Sequence, residues 1–213
     1  MSAAGKVCTG FSLPYIAEYE CNDGVISYSN GRQLARGVSV EISLDESDSD
    51  AFRADNQDAE TEAGKFTSGT VNLTVDGLFA DAEAQIQGLP TATDGWYDYD
   101  DRQNKPYLGI GYIARYQSEG VESFSPTIIV KTSFNQIGKS HQTGEKTKNY
   151  QTQALSARIL RGDDEYHTWK KIAEEDYATE AEAEAAIKEV FNISSSSGGG
   201  GASGGGGASG GGG

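Results

Sequence analysis

The chain has 213 residues and a formal net charge of −15, from 32 acidic and 17 basic residues, which argues against default attraction to nucleic acid or an anionic membrane. An acidic surface can still meet DNA by repelling it. No apolar run approaches the roughly 20 residues a spanning helix needs. No basic region followed by an apolar run opens the chain, so no signal peptide is expected, and Cys8 and Cys21 read as thiols of a reducing cytosolic environment.

Residues 15–20 and 25–28 are predicted to be short strands joined at Asn22-Asp23-Gly24, a strong hairpin-turn signal. Residues 38–44 alternate strictly, with Val38, Val40, Ile42 and Leu44 on one face and Ser39, Glu41 and Ser43 on the other. The stretch 45–64 then turns acidic, with Asp45, Glu46, Asp48, Asp50, Asp55, Asp58, Glu60 and Glu62 and, among large apolar groups, chiefly Phe52. Such a segment cannot bury itself, so it is expected to be a long projecting loop or hairpin, and loops of that length are usually functional or disordered.

Val71, Leu73 and Val75 alternate with Asn72, Thr74 and Asp76 as a further strand. A helix is expected over 78–87, started by Asp76 or Gly77 and stopped by Gly88 and Pro90, with Leu78, Ala82 and Ile86 on one face. Residues 107–116 are apolar on both faces, and 121–134 are rich in β-branched residues, so both read as covered strands. In 151–160, Ala154, Ser156 and Arg158 alternate against Leu155, Ala157 and Ile159. A second helix is expected over 180–191, where Thr179 and Glu182 stand at capping-box spacing and Ala183, Ile187 and Val190 make the apolar stripe.

This pattern predicts a mainly β fold with flanking helices, a β-sandwich or partly closed barrel of two packed antiparallel sheets. Residues 1–193 are expected to form one domain. From Ser194 onward the chain holds only Ser, Gly and Ala. The stretch 194–213 therefore reads as a flexible linker or engineered tail, with an r.m.s. span of roughly 25 Å.

Chemical motifs are incomplete. Gly138-Lys139-Ser140 imitates the end of a phosphate-binding loop, but Ser133 stands where its leading glycine is required and no helix signal follows. Gly109-Ile110-Gly111 with Ala114 lies inside a strand pattern, which points to close packing of a neighbouring backbone instead of a dinucleotide. The acids 45–50 and Asp94, Asp98, Asp100 and Asp101 lack the spacing of a calcium loop. His141 and His167 are the only histidines, and neither belongs to a zinc or nucleophile-elbow pattern. No catalytic residue, metal ligand or cofactor is therefore assigned, and the chain is not expected to be an enzyme. Cys8 and Cys21 could pair, though buried or inert thiols are the simpler expectation.

A set of strings in a fixed order carries a resemblance. They are Tyr15-Ile16-Ala17-Glu18-Tyr19, Tyr28-Ser29-Asn30-Gly31, Leu34-Ala35-Arg36-Gly37-Val38-Ser39-Val40 and Ala54-Asp55-Asn56, followed by Thr70-Val71-Asn72-Leu73-Thr74-Val75-Asp76-Gly77-Leu78-Phe79. Gly95-Trp96-Tyr97, Gly109-Ile110-Gly111-Tyr112, Phe134-Asn135-Gln136-Ile137-Gly138 and Ile159-Leu160-Arg161-Gly162-Asp163-Asp164 complete it. Over residues 6–191 the chain resembles the phi13-type phage major tail protein family. The resemblance implies a tail tube protein of two packed β-sheets, assembled as six-fold rings stacked into a hollow tube that carries viral DNA without sequence-specific binding. It implies self-association, tape-measure, distal tail and tail terminator proteins as partners, and location in the virion tail after assembly in the bacterial cytoplasm. It also makes 45–64 the candidate inter-ring arm, with Asp45, Glu46, Asp48, Asp50, Phe52, Asp55, Asp58, Glu60 and Glu62 as its residues.

Two other readings stand beside it. One is the tube of a phage-tail-like injection or secretion machine, which passes proteins. The other is a ligand- or glycan-binding β-sandwich that uses Trp96, Tyr97, Tyr99 and Trp169 as stacking residues.

Overall fold

The computed structural model describes residues 5–47, 51–54, 57–61, 65–139 and 151–194, with 51–54 and 57–61 described as backbone alone. Strands β1 (Val7–Asn22) and β2 (Val25–Gln33) form the first hairpin. Its turn residues Asp23 and Gly24 have φ of 51° and 77°, the primed-turn geometry that matches the twist of the flanking strands. Strand β3 (Gly37–Glu46) pairs with β6 (Phe66–Val75), and between them lies a separate two-stranded sheet of β4 (Ala51–Ala54) and β5 (Gln57–Thr61). Helix α1 (Ala80–Gln87) precedes β7 (Leu108–Ser118), β8 (Val121–Phe134), β9 (Gln153–Leu160), β10 (Lys170–Ile172) and α2 (Glu180–Val190).

The fold is mainly β, as the periodicity predicts. Where the sequence reading expects two packed sheets, the described strands outside the β4–β5 hairpin join in one eight-stranded antiparallel sheet, in the order β2-β1-β7-β8-β9-β6-β3, with β10 beside β8. The long strand β8 makes the join. One edge of it pairs with β7, while the other pairs with β10 at Thr127–Ile129 and with β9 at Lys131–Phe134.

The sheet curls around one core. Ile16 of β1, Val71, Leu73 and Val75 of β6, Ile110 of β7 and Ile159 of β9 are buried in a single cluster, closed at one end by Ala82 and Ile86 of α1. The curl brings β3 back toward β1, where the Phe11 ring sits so close to Gly37 that a Cβ there would lie 2.1 Å from it.

The opposite face of β1, β7 and β8 is covered by α2. Tyr15, Tyr19, Tyr28, Ile113, Ile128 and Val130 pack against Ala183, Ile187 and Phe191. Gly109 and Gly111 make this possible: a Cβ on Gly109 would meet Tyr28 at 2.5 Å, and one on Gly111 would meet Ile187 at 2.7 Å and Phe191 at 2.9 Å. The close approach expected of these glycines is real, but the neighbours are side chains, not backbone. The stripe of α2 ends on Phe191, not on Val190, which is exposed. From Ile187 the fourth residue onward shares its face, whereas the third has drifted toward solvent.

The helix ends follow local chemistry. Thr179 and Glu182 form the full reciprocal capping box. Gly88 stops α1 in the left-handed region, with φ of 62°. Helix α1 starts later than expected, with Phe79 as its N-cap and no side-chain cap bond. Asp76 is occupied elsewhere, accepting from the Arg36 backbone N–H at 3.0 Å and from its guanidinium at 2.5 Å. That guanidinium holds the Asp76 carboxyl below the usual carboxylate range.

The tyrosines under α2 are expected to weaken the fold at alkaline pH. Burial pushes the Tyr28 phenol well above its ordinary value, while its hydroxyl donates to the Val130 carbonyl at 2.9 Å. Burial pushes Tyr19 up to about 12. Both phenols are thus more readily protonated in the fold than in the unfolded chain, so their contribution is full below pH about 10 and is lost as pH rises through the folded values. Thermal melts are expected to be flat from about pH 8 to 10 and to fall above it, less steeply in Tyr28→Phe. A flat profile to about pH 12 in the unsubstituted protein would refute this assignment.

Candidate functional site

Among the described residues, the surface holds no cluster of three or more His, Cys, Asp or Glu suited to a metal ion. Its distinctive features are two sheet edges, one polar sheet face and the hairpin. Strand β2 pairs with β1, and β3 pairs with β6; among the described residues neither has a second strand partner. Each edge strand exposes apolar side chains, Val25 on β2 at 67 % and Val38 on β3 at 55 %. An edge of this kind is a template for another strand.

Outward from the core, β3, β6 and β9 present short polar side chains. The ladder sets Ser39, Thr74 and Ala154 in one row, Glu41, Asn72 and Ser156 in the next, and Ser43, Thr70 and Arg158 in a third. Alternation explains the face, because Val71, Leu73, Leu155 and Ala157 between them are buried. The three rows hold one acid and one base.

The acidic segment is a hairpin at its centre. Phe52 of β4 pairs with Glu60 of β5, and Arg53 pairs with Asp58. Asp45 and Glu46 end β3 opposite Ser68 and Phe66, both acids exposed. Asp48, Asp50, Asp55 and Glu62 lie outside the described residues. At the base, the Ser47 N–H donates to the Lys65 carbonyl at 2.8 Å, and the Lys65 N–H donates to the Ser47 hydroxyl at 2.9 Å.

Of the aromatics in the stacking reading, Trp96, Tyr97 and Tyr99 share the loop between α1 and β7, whereas Trp169 immediately precedes β10. Trp96 is 74 % exposed on a tight turn in which Thr93 and Trp96 exchange backbone hydrogen bonds of 2.9 and 3.0 Å across Asp94-Gly95. Tyr99 donates to the Glu83 carboxylate of α1 at 2.7 Å. Trp169 instead stacks on Phe66, with ring centroids 4.3 Å apart.

Lys139 of the phosphate-loop imitation is ion-paired with Glu83, and Ser140 lies outside the described residues, as does His141. His167 takes φ of 52° in the turn before Trp169, with its Nδ1 3.1 Å from the Gly162 carbonyl. Cys8 and Cys21 are free thiols, Cys8 exposed and Cys21 half-buried.

Sequence reasoning missed two features. One is Phe79, 78 % exposed beside a cleft of about 470 Å³ walled by Leu34, Arg36 and Leu78. A large apolar residue at a helix start gives no signal of its exposure until the packing is known. The other is Arg161, whose guanidinium donates to the Phe66 carbonyl at 2.8 Å.

No protein-family model and no curated protein matches this sequence. Among the described residues no helix is long and apolar enough to cross a membrane.

Proposed function

We propose that this chain is the major tail tube subunit of a long-tailed bacteriophage, polymerising as stacked rings into a hollow tube that conducts viral DNA. The observation that carries this reading is the antiparallel sheet whose two end strands, β2 and β3, each leave one edge without a strand partner among the described residues. Pairing β2 of one copy with β3 of the next is a heterologous contact, which closes into a ring when its rotation permits and continues as a filament otherwise. In this reading β2-β1-β7-β8 and β9-β6-β3 act as two layers of a tail-tube-like sandwich across the shared core. The rows of Ser, Thr and Asn on β3, β6 and β9 line the lumen. A wall with little positive charge gives phosphates nothing to bind, so DNA slides. The hairpin then reaches the adjacent ring, and the tape-measure, distal tail and terminator proteins meet the ends of the tube. The virion tail is the resulting location.

Negative-stain electron microscopy across a concentration and salt series tests the proposal. Copies with a formal charge of −15 repel each other at low salt. Rings or tubes should therefore increase as the screening length falls from about 10 Å at 0.1 M to about 3 Å at 1 M salt. Val38→Lys with Leu44→Lys places charge on the exposed β3 edge and is expected to change subunit stability by less than about 1 kcal/mol while preventing rings. Monomers under every condition, or normal rings from the double variant, would count against the edge-pairing reading.

A further inference from the structure

We propose that Phe66, Trp169 and Arg161 form a clamp that fixes the direction in which the β4–β5 hairpin leaves the sheet, with segment 161–169 as its bracket. The consequence for assembly rests on the tube reading above; the clamp itself does not.

The need for a clamp follows from the strand register. Strand β9 supports β6 from Gly69 to Val75, whereas the β3–β6 ladder runs on to Asp45 opposite Ser68 and Glu46 opposite Phe66. A shift in register falls between Asp45 and Glu46. From Ser68 to Phe66, β6 is thus paired with β3 alone in a two-stranded ribbon, the form of sheet most free to twist and bend. At that point the chain holds Phe66 twice. Its ring stacks on Trp169 with the planes 18° apart, and its carbonyl accepts from Nε of Arg161 at 2.8 Å and also from Nη2. The stack resists tilting of the ribbon and the forked guanidinium resists sliding, so the two contacts restrain different motions.

The bracket is cross-braced by hydrogen bonds and tied to the body. Asp164 accepts from the Thr168 N–H at 2.8 Å and from its hydroxyl at 2.6 Å, and the Gly162 N–H donates to the Thr168 carbonyl at 3.1 Å. Only glycine fits at 162, because a Cβ would lie 2.5 Å from the Asp164 carboxylate and 2.6 Å from the Thr168 carbonyl. The Val130 N–H of β8 donates to the Trp169 carbonyl at 3.0 Å, Lys131 donates to Asp163 at 2.6 Å, and the Asp163 N–H donates to the Tyr19 hydroxyl at 2.9 Å. The arm's base is thereby linked through one loop to β8, the central strand of the sheet, and to β1.

Amide hydrogen exchange on the full chain, kept at a concentration and salt where it is monomeric, tests the clamp without tubes. Trp169→Leu and Arg161→Met are each expected to raise exchange at 45–47 and 65–68 on the order of tenfold, with the β7 amides unchanged. Trp169→Phe, which keeps a stacking ring, retains the protection. Arg161 is exposed, so its variant keeps the test open if Trp169→Leu unfolds. Unchanged protection at the base in both loss variants overturns the clamp. Electron microscopy of the same variants then separates the two ideas: raised exchange with short or absent tubes supports both, and raised exchange with normal tubes keeps the clamp and removes the arm from assembly.

Discussion

Replacing residues 48–64 by an Asn-Gly turn is expected to leave the subunit folded, with its melting temperature within about 4 °C of the parent, and to abolish tubes. The splice is physically mild. Ser47 and Lys65 already face each other through two hydrogen bonds, one backbone to backbone, so a two-residue primed turn extends an existing ladder. The removed strands β4 and β5 pair with each other and with no other strand among the described residues, so the main sheet loses no ladder. Apart from Phe52 the segment brings few large apolar groups, so little burial is forfeited. Rings without stacks, seen by electron microscopy, are the expected assembly state. Tubes of normal length from this deletion would remove the inter-ring role of Asp48, Phe52, Glu60 and the other residues of 48–64, while a collapsed melting temperature would show the segment to be part of the core.

Phe191→Ala is expected to lower stability by about 3–5 kcal/mol. At about 2–4 °C per kcal/mol for a domain of this size, that is a drop of roughly 6–20 °C in the thermal midpoint. Phe191 is fully buried, its ring lies 4.8 Å from that of Tyr28, and it fills the space left by Gly109 and Gly111. Truncation leaves a void against two glycines, where no side chain can relax inward. The geometry also predicts non-additivity. In the parent a Cβ at 111 meets both Phe191 and Ile187, so Gly111→Ala alone is destabilising. Once the Phe191 ring is gone that methyl enters the void, and the double variant is expected to be less destabilised than the sum of the single changes, by about 1 kcal/mol or more in a thermal or urea melt. A strictly additive result would mean that Ile187, not Phe191, sets the tight fit.

What was legible in the sequence was largely what near neighbours govern, the start of α1 and the last position of the α2 stripe excepted. Alternation in 38–44, 71–75 and 151–160 placed strands there, Asp23-Gly24 placed a turn, Gly88 a helix end, and Thr179 with Glu182 a helix start, because each depends on residues within a few positions. The acidic run at 45–64 likewise pointed to a projecting loop or hairpin, since a segment that cannot bury itself must project; the pairing of β4 with β5 decides for the hairpin. The full length of β1 was not legible. Its register slips between Cys8 and Gly10 and between Ser12 and Tyr15, with Leu13 at φ of 50°, and each slip breaks the period-two pattern on which strand reading depends. Only the tertiary structure decided that the strands join through β8 into one curled sheet, that α2 docks by Phe191, and that Phe66, Arg161 and Trp169 meet. These depend on residues far apart in the chain, whose pairing is set by which edges and volumes fit once the core closes, and composition and local spacing carry no record of that.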